Sequence, residues 1–248
     1  MAKNIIMIGA DSMYILISGA DRGLGFGVTK NLLEGGHIVF AGQFLMTCEE
    51  LDNLRQDYKE QLYMIPLDVS DSESVIKAKN LILKYTDKLD MIISNAGIFE
   101  KTSDQEVLST DYDYMMNIYN VNAIGGVRLT EVFLDLLEKS KLKRICFVSS
   151  EAGSITQAKR TNSFSYCMSK AALNMYGKLL HNRLQPLGYS IRLYHPGWIK
   201  SYMSGELSSV GDLTIEEGAD HAIRFFFNND LDETTITMYG YDGEEFQF

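Results

Sequence analysis

The chain has 248 residues, of which 46% are hydrophobic and 23% charged, and these proportions exclude a disordered or collagen-like protein. A formal net charge of −10 argues against a nucleic-acid binder or a protein that docks on anionic membranes, because both need a basic surface. The sequence has no apolar run of the roughly 18 residues that a membrane-spanning helix needs. Its three cysteines lack the spacing of a zinc site or disulfide framework. We therefore expect a soluble cytoplasmic protein without a metal.

Short apolar runs alternate with helical patterns along the chain. Strands are predicted at 14–18, 37–41, 63–65, 91–93, 145–148 and 190–194, followed by a β-rich run at 234–239. Helices are predicted at about 24–33, 47–59, 71–86, 104–139, 164–185 and 214–228. This alternation indicates an α/β protein, a single-domain Rossmann fold with a doubly wound parallel sheet and helices on both faces, over 14–248. Residues 1–13 are predicted to form either an extra edge strand or an N-terminal arm.

A glycine-rich segment lies where the first predicted strand meets the first helix. It reads Ser18-Gly19-Ala20-Asp21-Arg22-Gly23-Leu24-Gly25. Its glycines would let a pyrophosphate approach the helix N-terminus, where free N–H groups and the helix dipole favour negative charge. Taken alone, the segment is also compatible with a tight turn that binds nothing.

A second motif, Tyr166-Cys167-Met168-Ser169-Lys170, lies on a predicted helix. Tyr166 and Lys170 project from one face, and a cation there should lower the pKa of the phenol from about 10 and prepare it for proton transfer. A chance pair on a half-exposed helix is the alternative. Ser150 follows the fifth strand, at the edge of the sheet where ligands bind, so its hydroxyl can stabilise a developing alkoxide.

Together these motifs resemble the short-chain dehydrogenase/reductase family over nearly the whole chain. The glycine-rich segment is similar to the family's TGxxxGxG cofactor motif, with serine in place of the first threonine. Further segments that resemble family motifs are Leu67-Asp68-Val69, Ser94-Asn95-Ala96-Gly97, Val121-Asn122 and His195-Pro196-Gly197-Trp198. The resemblance implies a nicotinamide-dependent oxidoreductase, in particular one like the small NADP(H)-dependent carbonyl reductases.

The resemblance also implies a role for each matched residue. Tyr166 would be the general acid in carbonyl reduction or the base in alcohol oxidation, and Lys170 would lower its pKa and bind the nicotinamide ribose. Ser150 would orient the substrate oxygen, and Asn122 would hold a water in a proton relay through Lys170. The cofactor-binding set would be Gly19, Arg22, Gly23, Leu24, Gly25, Gln43, Asp68, Val69, Asn95, Ala96, Gly97, Tyr166, Lys170, Pro196 and Gly197.

The choice between the two nicotinamide cofactors depends on the residues that follow the second strand. An acid there would bind the ribose 2′-hydroxyl and reject a 2′-phosphate, but residues 40–44 contain no Asp or Glu. Arg22 can pair with a 2′-phosphate through its planar guanidinium, and a surface arginine paired with a nearby acid is the alternative. These features favour NADP(H), with NAD(H) as the other option.

The expected substrate is small and largely apolar. Four side chains are predicted to border its pocket, although they could equally pack in the core: Phe99, Trp198, Tyr202 and Met203. Residues 198–213 are predicted to form a mobile lid. Residues 157–162 are an insertion relative to the commonest family spacing, and we favour a surface loop over one that reaches towards an acidic substrate group.

Function classes other than a carbonyl or secondary-alcohol oxidoreductase are also compatible with the fold. One is a non-catalytic sensor or scaffold that binds NAD(P)H. A sugar-nucleotide epimerase or dehydratase would also use the YxxxK pair, but such enzymes generally have a longer C-terminal region. The 239–245 segment is similar to the ending of small carbonyl reductases, which favours a reductase and a monomer or homodimer over a tetramer.

Overall fold

The computed structural model describes residues 12–45, 47–99, 110–203 and 205–248, and strands and helices alternate through them. The strands are β1 (Tyr14–Ser18), β2 (Ile38–Gln43), β3 (Leu62–Pro66), β4 (Met91–Ser94), β5 (Arg144–Val148), β6 (Ser190–His195), β7 (Met238–Gly240) and β8 (Glu245–Phe246). The helices are α1 (Gly23–Glu34), α2 (Glu49–Asp57), α3 (Ser72–Ile82), α4 (Tyr112–Tyr119), α5 (Gly125–Glu138), α6 (Phe164–Leu184) and α7 (Ile215–Phe226).

The strands form one sheet in the order β3-β2-β1-β4-β5-β6-β7-β8. All neighbouring pairs are parallel except β7 and β8, which are antiparallel. The strand order reverses between β1 and β4, and in open α/β sheets ligands bind in the crevice beyond the carboxyl ends of the strands at such a point. The predicted doubly wound Rossmann fold is confirmed.

The apolar run of β1 explains why this strand lies in the middle of the sheet. Ile15 and Ile17 pack into one layer of the core, and Leu16 packs into the layer on the opposite face. All three side chains are fully buried. A strand covered by helices on both faces needs apolar residues at every position rather than at alternate ones.

The helix predicted over 104–139 differs from the structure. Residues 104–109 lie outside the described residues. Helix α4 begins at Tyr112, and Asp111 caps its N-terminus by accepting a hydrogen bond from the Tyr114 N–H. A π-helical turn over Asn120–Ile124 then separates α4 from α5. Apolar periodicity does not reveal a single inserted residue of this kind, because the pattern resumes after it.

The C-terminal region also departs from the prediction. The β-rich run at 234–239 contributes only the start of β7, because Thr234 is held in a turn by the Asp232 carboxylate. The antiparallel strand β8 was not predicted. Residues 1–13 were predicted to form an extra edge strand or an N-terminal arm, and residues 1–11 of this segment lie outside the described residues. In the described part of the chain, no helix has both the length and the apolar character needed to span a membrane.

Candidate active site

The glycine-rich turn between β1 and α1 has the shape of a phosphate-binding loop. Gly19 and Gly23 have φ values of +65° and +59°, in the left-handed region that favours glycine. A Cβ atom on Gly25 would lie 2.0 Å from the Gly19 carbonyl oxygen, so this position tolerates only glycine. Within the described residues no side chain caps the N-terminus of α1, and its first turn has no acid, so its N–H groups can bind a phosphate. The turn therefore fits a dinucleotide.

The segment after β4 is bound directly to this turn. The Asn95 amide donates to the carbonyl oxygens of Ser18 and Gly19, both at 3.0 Å. In return the buried Ser18 hydroxyl accepts hydrogen bonds from the N–H groups of Asn95 and Ala96, both at 3.1 Å. The predicted cofactor residues Gly19, Asn95 and Ala96 thus form one hydrogen-bonded unit across the switch point.

An acid from the glycine-rich turn lies against the end of β2, a contact that sequence reasoning missed. One oxygen of the buried Asp21 carboxylate accepts hydrogen bonds from the N–H groups of Phe44 (3.0 Å) and Leu45 (2.9 Å). Asp21 belongs to the glycine-rich turn, yet it lies against the residues that follow Gln43. Residues 40–44 themselves contain no acid, as predicted, but the fold brings the Asp21 carboxylate against this region.

Arg22 and the predicted cofactor residues Asp68 and Val69 lie at the same edge of the sheet. Arg22 is exposed, its guanidinium carbon is 5.7 Å from the ring centroid of Tyr202, and no described carboxylate is within salt-bridge distance of it. Asp68 and Val69 follow β3, and the Asp68 carboxylate accepts hydrogen bonds from both the N–H and the hydroxyl of Ser70. Among the described residues, Arg22 therefore does not form the surface ion pair that was its alternative role.

Asn122 lies within the π-helical turn that interrupts the long helix. Its side-chain oxygen accepts from the Ile98 N–H at 2.8 Å, and its amide donates to the Ile98 carbonyl at 2.9 Å and to the Ser169 hydroxyl at 3.0 Å. The turn thereby directs Asn122 towards both the segment after β4 and helix α6. A Cβ atom on Gly97 would lie 3.4 Å from the Asn122 oxygen and 3.7 Å from Lys170 Nζ, so the three residues are close together.

Tyr166 and Lys170 are both buried on α6. Lys170 Nζ donates to the Val148 carbonyl at 2.9 Å and lies 5.7 Å from the centroid of the Tyr166 ring, which packs edge-on against Phe99. Burial raises the pKa of the Tyr166 phenol well above its usual value, and a hydrogen bond with Ser150 offsets only part of this rise. Burial also lowers the pKa of Lys170 to about 8. The expectation that Lys170 lowers the pKa of Tyr166 is therefore wrong for this structure, because burial dominates both groups.

Ser150 follows β5 and reaches Tyr166. Its hydroxyl donates to the Glu151 carboxylate at 2.6 Å and accepts from the Ala152 N–H at 3.2 Å. The adjacent Ser149 is instead hydrogen-bonded to the buried Asn174, which is a structural contact. The structure thus brings together the four residues predicted to carry the chemistry: Asn122, Ser150, Tyr166 and Lys170.

The segment after β6 completes the site. Pro196 and Gly197 follow β6, and Gly197 has a φ of +78°. The chain then folds back, with the N–H groups of Asp212 and Leu213 donating to the Trp198 carbonyl, so that both ends of the predicted 198–213 lid are anchored. Among the predicted pocket residues, Phe99 packs on Tyr166, while Trp198 and Met203 are exposed.

No metal site accompanies these residues in the described ranges, because no three or more His, Cys, Asp or Glu side chains are grouped to hold an ion.

Comparison with known proteins assigns the chain to a family. The family model "short chain dehydrogenase" matches residues 13–210. Mouse estradiol 17β-dehydrogenase 2 is 31% identical over 95% of this chain, and an uncharacterised oxidoreductase of Saccharomyces cerevisiae is 29% identical over 94%. The chain spans 58% of the mouse protein's length and 96% of the yeast protein's length.

Solved structures agree with this assignment. The NADPH-bound carbonyl reductase from chicken fatty liver superposes with a TM-score of 0.86 at 27% identity, covering 98% of this chain and 97% of that chain. The carbonyl reductase Sniffer of Drosophila melanogaster, at 23% identity, shares the fold with a TM-score of 0.84 over 96% of this chain and all of that one. The chain belongs to the short-chain dehydrogenase family.

Proposed function

We propose that the protein reduces a small, largely apolar carbonyl compound with NADPH, with Tyr166 as the general acid, and that it catalyses the reverse alcohol oxidation with Tyr166 as the base. The observation that carries this proposal is the convergence of Ser150, Tyr166, Lys170 and Asn122 beyond the carboxyl ends of β4 and β5. The glycine-rich turn that fits a dinucleotide lies at the same edge of the sheet.

Proton donation is the step that this chain's own residues perform. When bound, the nicotinamide supplies the hydride for reduction or accepts it in oxidation. The raised pKa keeps the Tyr166 phenol protonated at neutral pH, the form that gives a proton to the oxygen of a reduced carbonyl. Ser150, hydrogen-bonded to Tyr166, orients that oxygen and stabilises its developing charge.

Lys170 and Asn122 support the proton donor. With a pKa of about 8 the Lys170 amine is mostly protonated at pH 7, and one of its three N–H donors is used by the Val148 carbonyl. The remaining donors are available to a nicotinamide ribose. Asn122 holds the Ile98 backbone next to Lys170 and would hold the water of the proton relay.

Some features of the site favour NADPH as the cofactor, and others favour NADH. Arg22 is exposed beside the glycine-rich turn and has no described acidic partner, which supports binding of a 2′-phosphate. NADH is the second candidate, because the Asp21 carboxylate already occupies the Phe44 and Leu45 N–H groups. The buried Gln43 side-chain oxygen, which lacks a hydrogen-bond donor among the described residues, also suits a ribose hydroxyl better than a phosphate.

A parallel titration with NADPH and NADH distinguishes the two cofactors. Trp198 is the single tryptophan and adjoins the Pro196-Gly197 turn, so its fluorescence reports binding. We expect NADPH to bind more tightly, Arg22→Ala to weaken NADPH by about tenfold or more with little effect on NADH, and Asp21→Asn to leave this order unchanged. Tighter binding of NADH, lost in Asp21→Asn, would reverse the assignment. NADPH binding without turnover of any carbonyl would favour the sensor or scaffold.

A homodimer is also part of the proposal. Met168, Met175 and Leu179 lie along one face of α6 and are each more than half exposed. A repeated apolar face of this kind supports association of two copies through their α6 helices. Sedimentation equilibrium of the wild type and of Met175→Lys tests it: the variant should be monomeric, whereas unchanged association would refute the proposed face.

The cytoplasmic location is likewise a proposal, for which cell fractionation is the test.

A further inference from the structure

Arg128, in the first turn of α5, is hydrogen-bonded to three separate parts of the chain. Its Nε donates to the Ser72 hydroxyl at 3.0 Å, its Nη1 to the Val69 carbonyl at 3.0 Å, and its Nη2 to the Asn120 side-chain oxygen at 2.7 Å. All of these acceptors are neutral, so the contacts recognise the positions of oxygen atoms rather than a charge. Because the donors belong to one rigid, planar guanidinium, the three partners are held at fixed distances from one another.

The first part that Arg128 holds is the segment that follows β3. A Cβ atom on Gly125, the first residue of α5, would lie 2.8 Å from Val69 Cγ2, so this segment is seated directly on the start of the helix. The Asn120 amide donates to the next carbonyl along the chain, that of Ser70, at 3.2 Å. Since β3 lies outside β2 in the sheet, and the ribose binds at the end of β2 in this fold, Val69 lies on the adenosine side of the proposed cofactor site.

The second part is the π-helical turn that contains Asn122. Asn120 is the first residue of this turn, and Asn122 lies two residues further on. The Asn122 side chain accepts from the Ile98 N–H at 2.8 Å and donates to the Ser169 hydroxyl at 3.0 Å. Because both asparagines belong to one short turn, the bond from Arg128 to Asn120 fixes the position from which Asn122 projects.

We propose that Arg128 is a positioning residue that joins the two halves of the active site. It holds the segment after β3 on the adenosine side and, through Asn120, holds Asn122 at the proton relay. This inference rests on the proposed reduction of a carbonyl by Tyr166, because the relay has no role without that reaction. Substitution of Arg128 should therefore weaken adenosine binding and slow the chemistry together.

The test makes two measurements on each variant. Calorimetric titration with ADP, which has the adenosine and pyrophosphate parts of the cofactor but no nicotinamide, reports the adenosine side. The rate of NADPH oxidation in a single turnover, with the small apolar carbonyl that the wild type reduces fastest, reports the chemistry without product release. Arg128→Met should raise the Kd of ADP by about five- to tenfold and slow the single turnover by about tenfold or more. Arg224→Met, which removes an exposed arginine from α7, is the matched control and should change neither value.

Two further variants separate the positioning role from charge and from general stability. Arg128→Lys keeps the charge but lacks the planar fork, so both of its values should lie closer to those of Arg128→Met than to those of the wild type. In an Asn122→Ala background, Arg128→Met should still weaken ADP binding but slow the turnover by less than about twofold, because its effect on the chemistry passes through Asn122. A merely structural role would lower the Tm and leave both values of the folded variants unchanged.

Three results would overturn the positioning role of Arg128. They are wild-type values for Arg128→Lys, a change in only one of the two measurements for Arg128→Met, and an equal slowing of turnover by Arg128→Met with and without Asn122. If Arg128→Met does not fold, Arg128→Lys decides by the same two measurements. A wild-type protein that binds NADPH but reduces no carbonyl would overturn the proposed function and the link to Asn122 together, whereas active variants with unchanged ADP binding and turnover would overturn this inference alone.

Discussion

Replacing Ser18 with alanine should destabilise the protein at the junction that forms the cofactor turn. Ser18 is fully buried, and its hydroxyl accepts hydrogen bonds from the N–H groups of Asn95 and Ala96, both at 3.1 Å. Alanine removes the acceptor and leaves two N–H groups without it. A buried polar group that loses its partner costs about 1–3 kcal/mol, so we expect the free energy of unfolding to fall by about 2–3 kcal/mol. For a chain of this length that corresponds to a Tm lower by about 4–12 °C.

Thermal and urea unfolding of three variants test this value. Ser18→Thr keeps the hydroxyl and should retain most of the stability. Ser208→Ala removes an exposed hydroxyl from a loop turn and should have almost no effect. NADPH binding should weaken in Ser18→Ala, because Asn95 also holds the Gly19 carbonyl. A Tm for Ser18→Ala equal to that of Ser208→Ala would refute the account of this junction.

Two further predictions concern buried charges. Burial lowers the pKa of Lys170 to about 8, so between pH 8 and the ordinary lysine value near 10.5 the unfolded chain binds more protons than the native one. The free energy of unfolding of the wild type relative to Lys170→Met should therefore rise across that pH window. A flat or falling difference, measured by urea unfolding at several pH values, would contradict this. Glu233→Ala should lower the free energy of unfolding by about 2–3 kcal/mol in the same assay, because Glu233 pairs with the buried guanidiniums of Arg144 and Arg192. Glu73→Ala, which removes an exposed ion pair, is the control. A loss for Glu233→Ala no larger than that of the control would contradict the prediction.

The parts of the fold that the sequence predicts are those that local patterns determine. The apolar run of β1 and the glycines at 19, 23 and 25 predict a buried strand followed by a tight glycine turn, and the structure has both. The spacing of Tyr166 and Lys170 places them on one face of α6. In each case neighbouring residues carry the signal, and the parallel sheet follows from the alternation of elements.

The contacts that the sequence does not predict join residues far apart or interrupt a regular element. Asp21 hydrogen-bonds residues 44 and 45, and no local pattern relates the two segments. The pairing of Glu151 with Arg160 depends on the path of the insertion between β5 and α6. The Tyr166 pKa was expected to fall because spacing shows the nearby cation and does not show the burial of both groups.

The central claim is that Tyr166 gives or takes the proton in a nicotinamide-dependent reaction. Its most direct test is NADPH consumption with a panel of small apolar aldehydes and ketones, by the wild type and by Tyr166→Phe, with NADPH binding measured for both through Trp198 fluorescence. The account predicts that the variant still binds NADPH and that its turnover is reduced by at least about 10²-fold. Turnover by Tyr166→Phe at the wild-type rate would contradict the account.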